Sequence, residues 1–135
     1  MPGAGVKKGG FKVIAFREVD LEDVKMDGAE LAKVRWVFSN KDGADRFALR
    51  VFDLGPEGHS PYHKHDYEHE TFTLEGKGEL RTEEGTFPLE PGVAAYVPPN
   101  KMHGFYNMGD GTFRFICCIP YVEEKKEEKK RKGGK

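Results

Sequence analysis

Apolar and polar positions alternate along much of this chain with the period of two that a half-buried strand requires. In residues 31–38, Ala32, Val34, Trp36 and Phe38 share one face, and Lys33 and Arg35 take the other. In residues 112–119, Phe113, Phe115, Cys117 and Ile119 lie on one face, with Arg114, Ile116 and Cys118 opposite. No long apolar stripe at the helical period interrupts this pattern. Further strands are predicted over residues 11–16, 47–54, 71–75, 79–82, 86–89, 93–97 and 103–107. Residues 20–25 are polar enough for a loop or a single helical turn. Turn chemistry separates the strands, as in Asn40-Lys41-Asp42-Gly43, Gly55-Pro56-Glu57-Gly58, Glu83-Glu84-Gly85 and Pro98-Pro99-Asn100. About ten short strands with brief connections predict an all-β domain, either a closed barrel or a double-sheet jelly roll.

Composition narrows the setting. At 135 residues the chain has the length of one domain with a real core. Basic and acidic residues nearly balance, 22 against 23, which argues against a polyanion-binding surface. The balance is uneven, because residues 123–135 hold seven basic and four acidic residues and no apolar one. A single β-barrel domain over residues 1–122 and a charged, solvated tail over 123–135 are therefore expected. Charged residues reach 33% of the chain, mostly Lys and Glu, a bias that points to a source in a hot environment. No apolar run approaches the roughly 20 residues of a membrane helix. The N-terminal Met1-Pro2-Gly3-Ala4-Gly5 lacks a signal-peptide core, so a cytoplasmic location is expected. The two cysteines, Cys117 and Cys118, are neighbours that cannot bridge well in a strand, and both are expected to be reduced thiols.

The candidate chemistry lies in the histidines. Four of the five fall in two places, His63, His65 and His69 in one run and His103 far downstream. On a strand, His63 and His65 project from one face with Lys64 on the other. His69 keeps that parity if the chain stays extended, and His103 opens a separate strand just after a proline turn. Imidazoles converging from neighbouring strands suit a divalent transition metal. Glu68 and Glu70 alternate with His69 and should point away from it. Arg50 shares a strand face with Ala48 and Phe52; facing inward it would hold a substrate carboxylate, facing outward it would sit in an ion pair. Phe105 has the parity of His103 and should wall a pocket. Phe115 and Cys117 belong either to the pocket's far side or to the core.

These residues also resemble a known family. Residues 58–76, with His63-x-His65 between Gly58 and Gly76, look like the first motif of the cupin superfamily. Residues 92–107 resemble the second, with Gly92, Pro98, His103 and Asn107, and with Asn100 where a glycine is usual. Counting back from Leu74-Glu75-Gly76 puts His69 in the slot that a glutamate ligand usually fills. The run is thus similar to small single-domain cupins with four histidine ligands. The resemblance implies a double-stranded β-helix (jelly-roll) barrel, a homodimer, and one divalent metal per chain held by His63, His65, His69 and His103. Manganese comes first among the metals, with Fe, Ni, Zn and Cu as alternatives. The apolar face of Ala32, Val34, Trp36 and Phe38, with the N-terminal strand, is the expected dimer contact.

Four neutral imidazoles leave the metal charge uncompensated, which favours anionic ligands at the open positions. A small-molecule metalloenzyme follows as the expected function. An oxidoreductase of the dioxygenase kind is preferred over Lewis-acid isomerisation. A non-catalytic sensor or storage protein for a metal or small ligand is the alternative. No nucleic-acid module is apparent.

Overall fold

The computed structural model describes residues 10–121. The charged stretch 123–135 lies outside the described residues, as does the start of the chain. Nine strands are present among the described residues: β1 (Glu22–Asp23), β2 (Glu30–Phe38), β3 (Phe47–His59), β4 (His69–Glu75), β5 (Gly78–Thr82), β6 (Gly85–Leu89), β7 (Ala94–Val97), β8 (His103–Asn107) and β9 (Phe113–Pro120). The paired order is β6-β5-β8-β3-β9-β4-β7, with β2 and β1 added beside β3. All pairings are antiparallel. Strands far apart in sequence lie side by side, and the sheet curls into a nearly closed barrel of the jelly-roll kind.

β9 shows how the alternation becomes a core. Phe113, Phe115 and Cys117 are buried, and Arg114, Ile116 and Cys118 between them stay partly exposed. Inside the barrel Phe115 stacks on Phe105 at 4.8 Å and on Phe52 at 5.4 Å. Leu54, Leu80, Leu89 and Val97 complete the layer. A fully buried Phe or Leu contributes about 1.5–3 kcal/mol, so this layer is the main source of barrel stability. Gly78 makes room for it: a Cβ there would fall 2.3 Å from the Phe113 ring.

Three expectations are corrected by the structure. Residues 11–15 form no strand, and Phe16–Glu18 is a single 3-10 turn. Phe11 and Val13 are 95% and 75% exposed because no neighbouring strand reaches them, and an unpaired extended segment is not a strand. Second, β2 does not keep one parity. A bulge between Trp36 and Phe38 takes Phe38 off the face of Ala32, Val34 and Trp36 and leaves Val37 buried on the opposite one. The expected contact face is therefore split, since Ala32 and Val34 are already buried inside the barrel. Third, Gly55-Pro56-Glu57-Gly58 does not end β3. The strand continues to His59, with an irregular step in its pairing to β2. Gly58 permits that step, because a Cβ there would sit 2.8 Å from the carbonyl oxygens of Gly55 and Leu31.

Candidate metal centre

The long His-rich connection from β3 to β4 is tied down by backbone. His63 N–H donates to the His103 carbonyl at 3.0 Å, and His103 N–H returns a bond to the His63 carbonyl at 2.9 Å. Asn100 N–H donates to the His65 carbonyl at 2.6 Å. Asn100 adopts φ 64°, the left-handed conformation expected of the residue that replaces the usual glycine. Thus the proline turn before β8 clamps both halves of the histidine run. His69 begins β4 opposite Val97, and His103 begins β8 opposite Thr82.

Four rings meet as a result. His63, His65 and His103 each offer a ligand atom, all within 4.8 Å of one another. His69 lies outside that trio, although its ring stacks on His65 at 4.4 Å and lies 5.3 Å from His103. The ring nitrogens are divided by role. Nδ1 of His65 lies 2.9 Å from the Tyr67 carbonyl, and Nδ1 of His103 lies 2.9 Å from the Lys101 carbonyl. A carbonyl can only accept, so each Nδ1 carries the proton and each Nε2 presents a lone pair. Nδ1 of His69 lies 3.3 Å from Sγ of Cys117. The Nε2 atoms of His65, His69 and His103 are buried and have no hydrogen-bond partner. A buried unpaired polar group costs about 1–3 kcal/mol, and the three residues that carry these atoms line one cavity.

Electrostatics keep the rings in the ligand form. Burial, then the neighbouring His103, holds the His63 pKa below the usual imidazole range. Burial also lowers His65 and His103, although their backbone hydrogen bonds work the other way. His69 falls to about 2, through burial first and then the positive field of His65 and Arg50. Neutral imidazoles are what a cation requires. Among the described residues no carboxylate joins the cluster: Glu70 is exposed, and Glu68 lies 3.5 Å from the Tyr96 hydroxyl. These donors fit a transition metal.

A cavity of about 80 Å³ opens against the histidines. Arg50, Phe105, Phe115 and Cys117 line it with all four rings. Arg50 thus faces inward, and it forms no ion pair among the described residues. Tyr67, Pro61, Val24 and Met26 also contribute walls. Sequence reasoning missed them. Tyr67 follows the histidine parity and stacks on His65 at 4.1 Å, a signal that was available. Val24 and Met26 come from a stretch that reads as a polar loop, and nothing local marks them.

A family model for the cupin domain matches residues 50–119. The chain belongs to the cupin family. Among solved structures, this cupin is similar to the polyketide cyclase RemF from Streptomyces resistomycificus, with 35% identity and a TM-score of 0.77 over 82% of this chain and 79% of that one. It is 37% identical to a glucose-6-phosphate isomerase of Thermococcus onnurineus, over 59% of this chain and 49% of the relative. It is 27% identical to a 1-methylthio-D-xylulose 5-phosphate methylsulfurylase of Rhodospirillum rubrum, over 57% and 49%. The chain spans about half the length of the curated relatives it matches. These names correct one expectation. The relatives are isomerases and a methylsulfurylase, which overturns the preference for an oxidoreductase. That preference rested on open metal positions, and open positions serve Lewis-acid chemistry equally well. No helix among the described residues is long and apolar enough to cross a membrane.

Proposed function

We propose that this cupin is a metal-dependent enzyme of the isomerase or cyclase kind, acting without net redox change on a small carbonyl compound. The observation that supports it best is the set of buried, unpaired Nε2 atoms aimed into one cavity with no carboxylate among them. We assign His63, His65, His69 and His103 as ligands of one divalent ion per chain, manganese first. Bound there, such an ion supplies a Lewis acid for a carbonyl or enolate oxygen. Isomerisation and ring closure of carbonyl compounds share that demand, which is why the isomerase and cyclase relatives both support this reading.

The chain's own residues do the remaining work. The Tyr67 and Lys101 carbonyls fix the His65 and His103 rings through Nδ1. Phe52, Phe105 and Phe115 exclude water from the cavity. Burial raises the Cys117 thiol, so Sγ holds its proton at neutral pH rather than serving as a base.

The test is elemental analysis of purified protein, followed by NMR of hydrogen–deuterium exchange beside the carbonyl in 2-oxo acids, 1,3-dicarbonyls and sugar phosphates. Metal-dependent exchange that is lost in His65→Ala supports the reading. A protein that takes up metal but exchanges nothing is a binding protein, and the enzyme reading fails.

A further inference from the structure

The geometry points to Arg50 as the anchor for the carboxylate of a short 2-oxo or 2-hydroxy acid. The inference deepens the function proposed above and rests on it for the second point of attachment, the histidine cluster.

Arg50 sits on β3 opposite Cys117 of β9. Its guanidinium lies 5.2 Å from the Trp36 ring and 4.8 Å from the Phe52 ring. Its Nη2 donates to Sγ of Cys117 at 3.1 Å, the same sulfur that lies 3.3 Å from Nδ1 of His69. One sulfur atom therefore joins the guanidinium to the histidine cluster. Nε of Arg50 is buried without a partner. A thiol sulfur and the aromatic faces are weak acceptors, so this fork meets no charged acceptor among the described residues. Arg35 also leaves Nε unpaired, but Asp53 matches its charge at 3.1 Å. Arg50 has no such carboxylate among the described residues, and it shares its cavity with the four histidines. A planar fork of this kind takes a carboxylate in two parallel hydrogen bonds.

Size and lining limit the ligand further. The cavity holds about 80 Å³, room for about half a dozen water-sized groups. That suits an acid of three or four carbons, with its other oxygen toward the histidines and its short carbon chain against Phe105 and Phe115. A sugar phosphate would have to project from the mouth.

Pyruvate and its neutral isostere pyruvamide test this by titration calorimetry, with quenching of Trp36, the single tryptophan, as a second readout. Metal-free wild type should bind pyruvate at least tenfold more tightly than pyruvamide. Arg50→Gln should lose at least tenfold of the pyruvate affinity, with Arg50→Lys recovering part. Arg81→Gln, which removes a charge outside this cavity, should change nothing. Metal should tighten pyruvate binding and leave the Arg50 dependence in place. Equal affinity for acid and amide, or an Arg50→Gln protein that binds pyruvate as wild type does, overturns the inference while metal uptake upholds the histidine centre. Arg50-dependent pyruvate binding by a protein that takes no metal upholds the inference and overturns the centre. If Arg50→Gln does not fold, the acid–amide ratio of wild type decides.

Discussion

Arg114 and Arg50 stand on adjacent paired strands and are treated in opposite ways. Arg114 reaches Asp53 at 2.7 Å and Glu75 at 2.7 Å, and Arg35 adds a second cation to the network through Asp53. Arg50, on the cavity side, has a sulfur and two rings for company. The histidines repeat the contrast within single rings: Nδ1 is matched to a carbonyl, and Nε2 faces the cavity unmatched. In the Asp53 network that ties β2, β3 and β9, each charge finds its complement in the chain. At the cavity the complement is left for a ligand to supply. An unsatisfied buried group is costly, so its persistence marks function rather than architecture.

The comparison can be broken by experiment. The largest effect is expected for His65→Ala, which should weaken metal binding by at least about 100-fold; elemental analysis after gel filtration measures it, and unchanged stoichiometry would remove His65 from the ligand set. Next comes Asp53→Ala, which strands Arg114 and Arg35. It should cost about 2–3 kcal/mol in urea unfolding, the low end for a broken buried pair because the Asp53 side chain keeps 14% exposure.

A pH titration sharpens the same point. Burial alone would raise the Asp53 carboxyl, but its hydrogen bonds and charge pairing with Arg114 and Arg35 hold it below the ordinary range. The unfolded chain therefore takes up this proton first as pH falls. The contribution of Asp53 is whole above about pH 5 and declines as pH falls through the unfolded pKa of about 4. Wild type should lose unfolding free energy as pH falls below about 5, with a slope that Asp53→Ala lacks. The smallest effect is expected for Arg50→Gln, about 1 kcal/mol or less, because its aromatic contacts and one weak hydrogen bond to sulfur are all that is lost. A cost equal to that of Asp53→Ala would make Arg50 a structural residue and collapse the contrast.

Much of the fold was legible because alternation survives folding where strands pair regularly. β9 is the clearest case, with Phe113, Phe115 and Cys117 buried as the pattern requires. Phe38 shows the limit: a single bulge after Trp36 takes it off the face that alternation assigned to it, and no local pattern carries the register shift against β3. Residues 11–15 fail for a related reason. They alternate like a strand, yet whether a strand forms depends on a partner. At the site, the x-spacing of His63 and His65 was readable as a shared face, and Glu68 and Glu70 were readable as pointing away. The contributions of Val24 and Met26 were not, since a cavity wall is set by what the barrel brings near.

The sequence by itself determined the strand-rich domain, most of the turn positions and the residue types able to hold a cation. Periodicity and side-chain chemistry are local properties, written wherever the residues stand. Only the tertiary structure decided that His103 bonds backbone to backbone with His63, that Arg50 faces the cavity without a carboxylate, and that one sulfur links it to His69. Those facts depend on pairings between residues up to 67 positions apart, and long-range register is settled by the packing of the whole barrel rather than by any one segment.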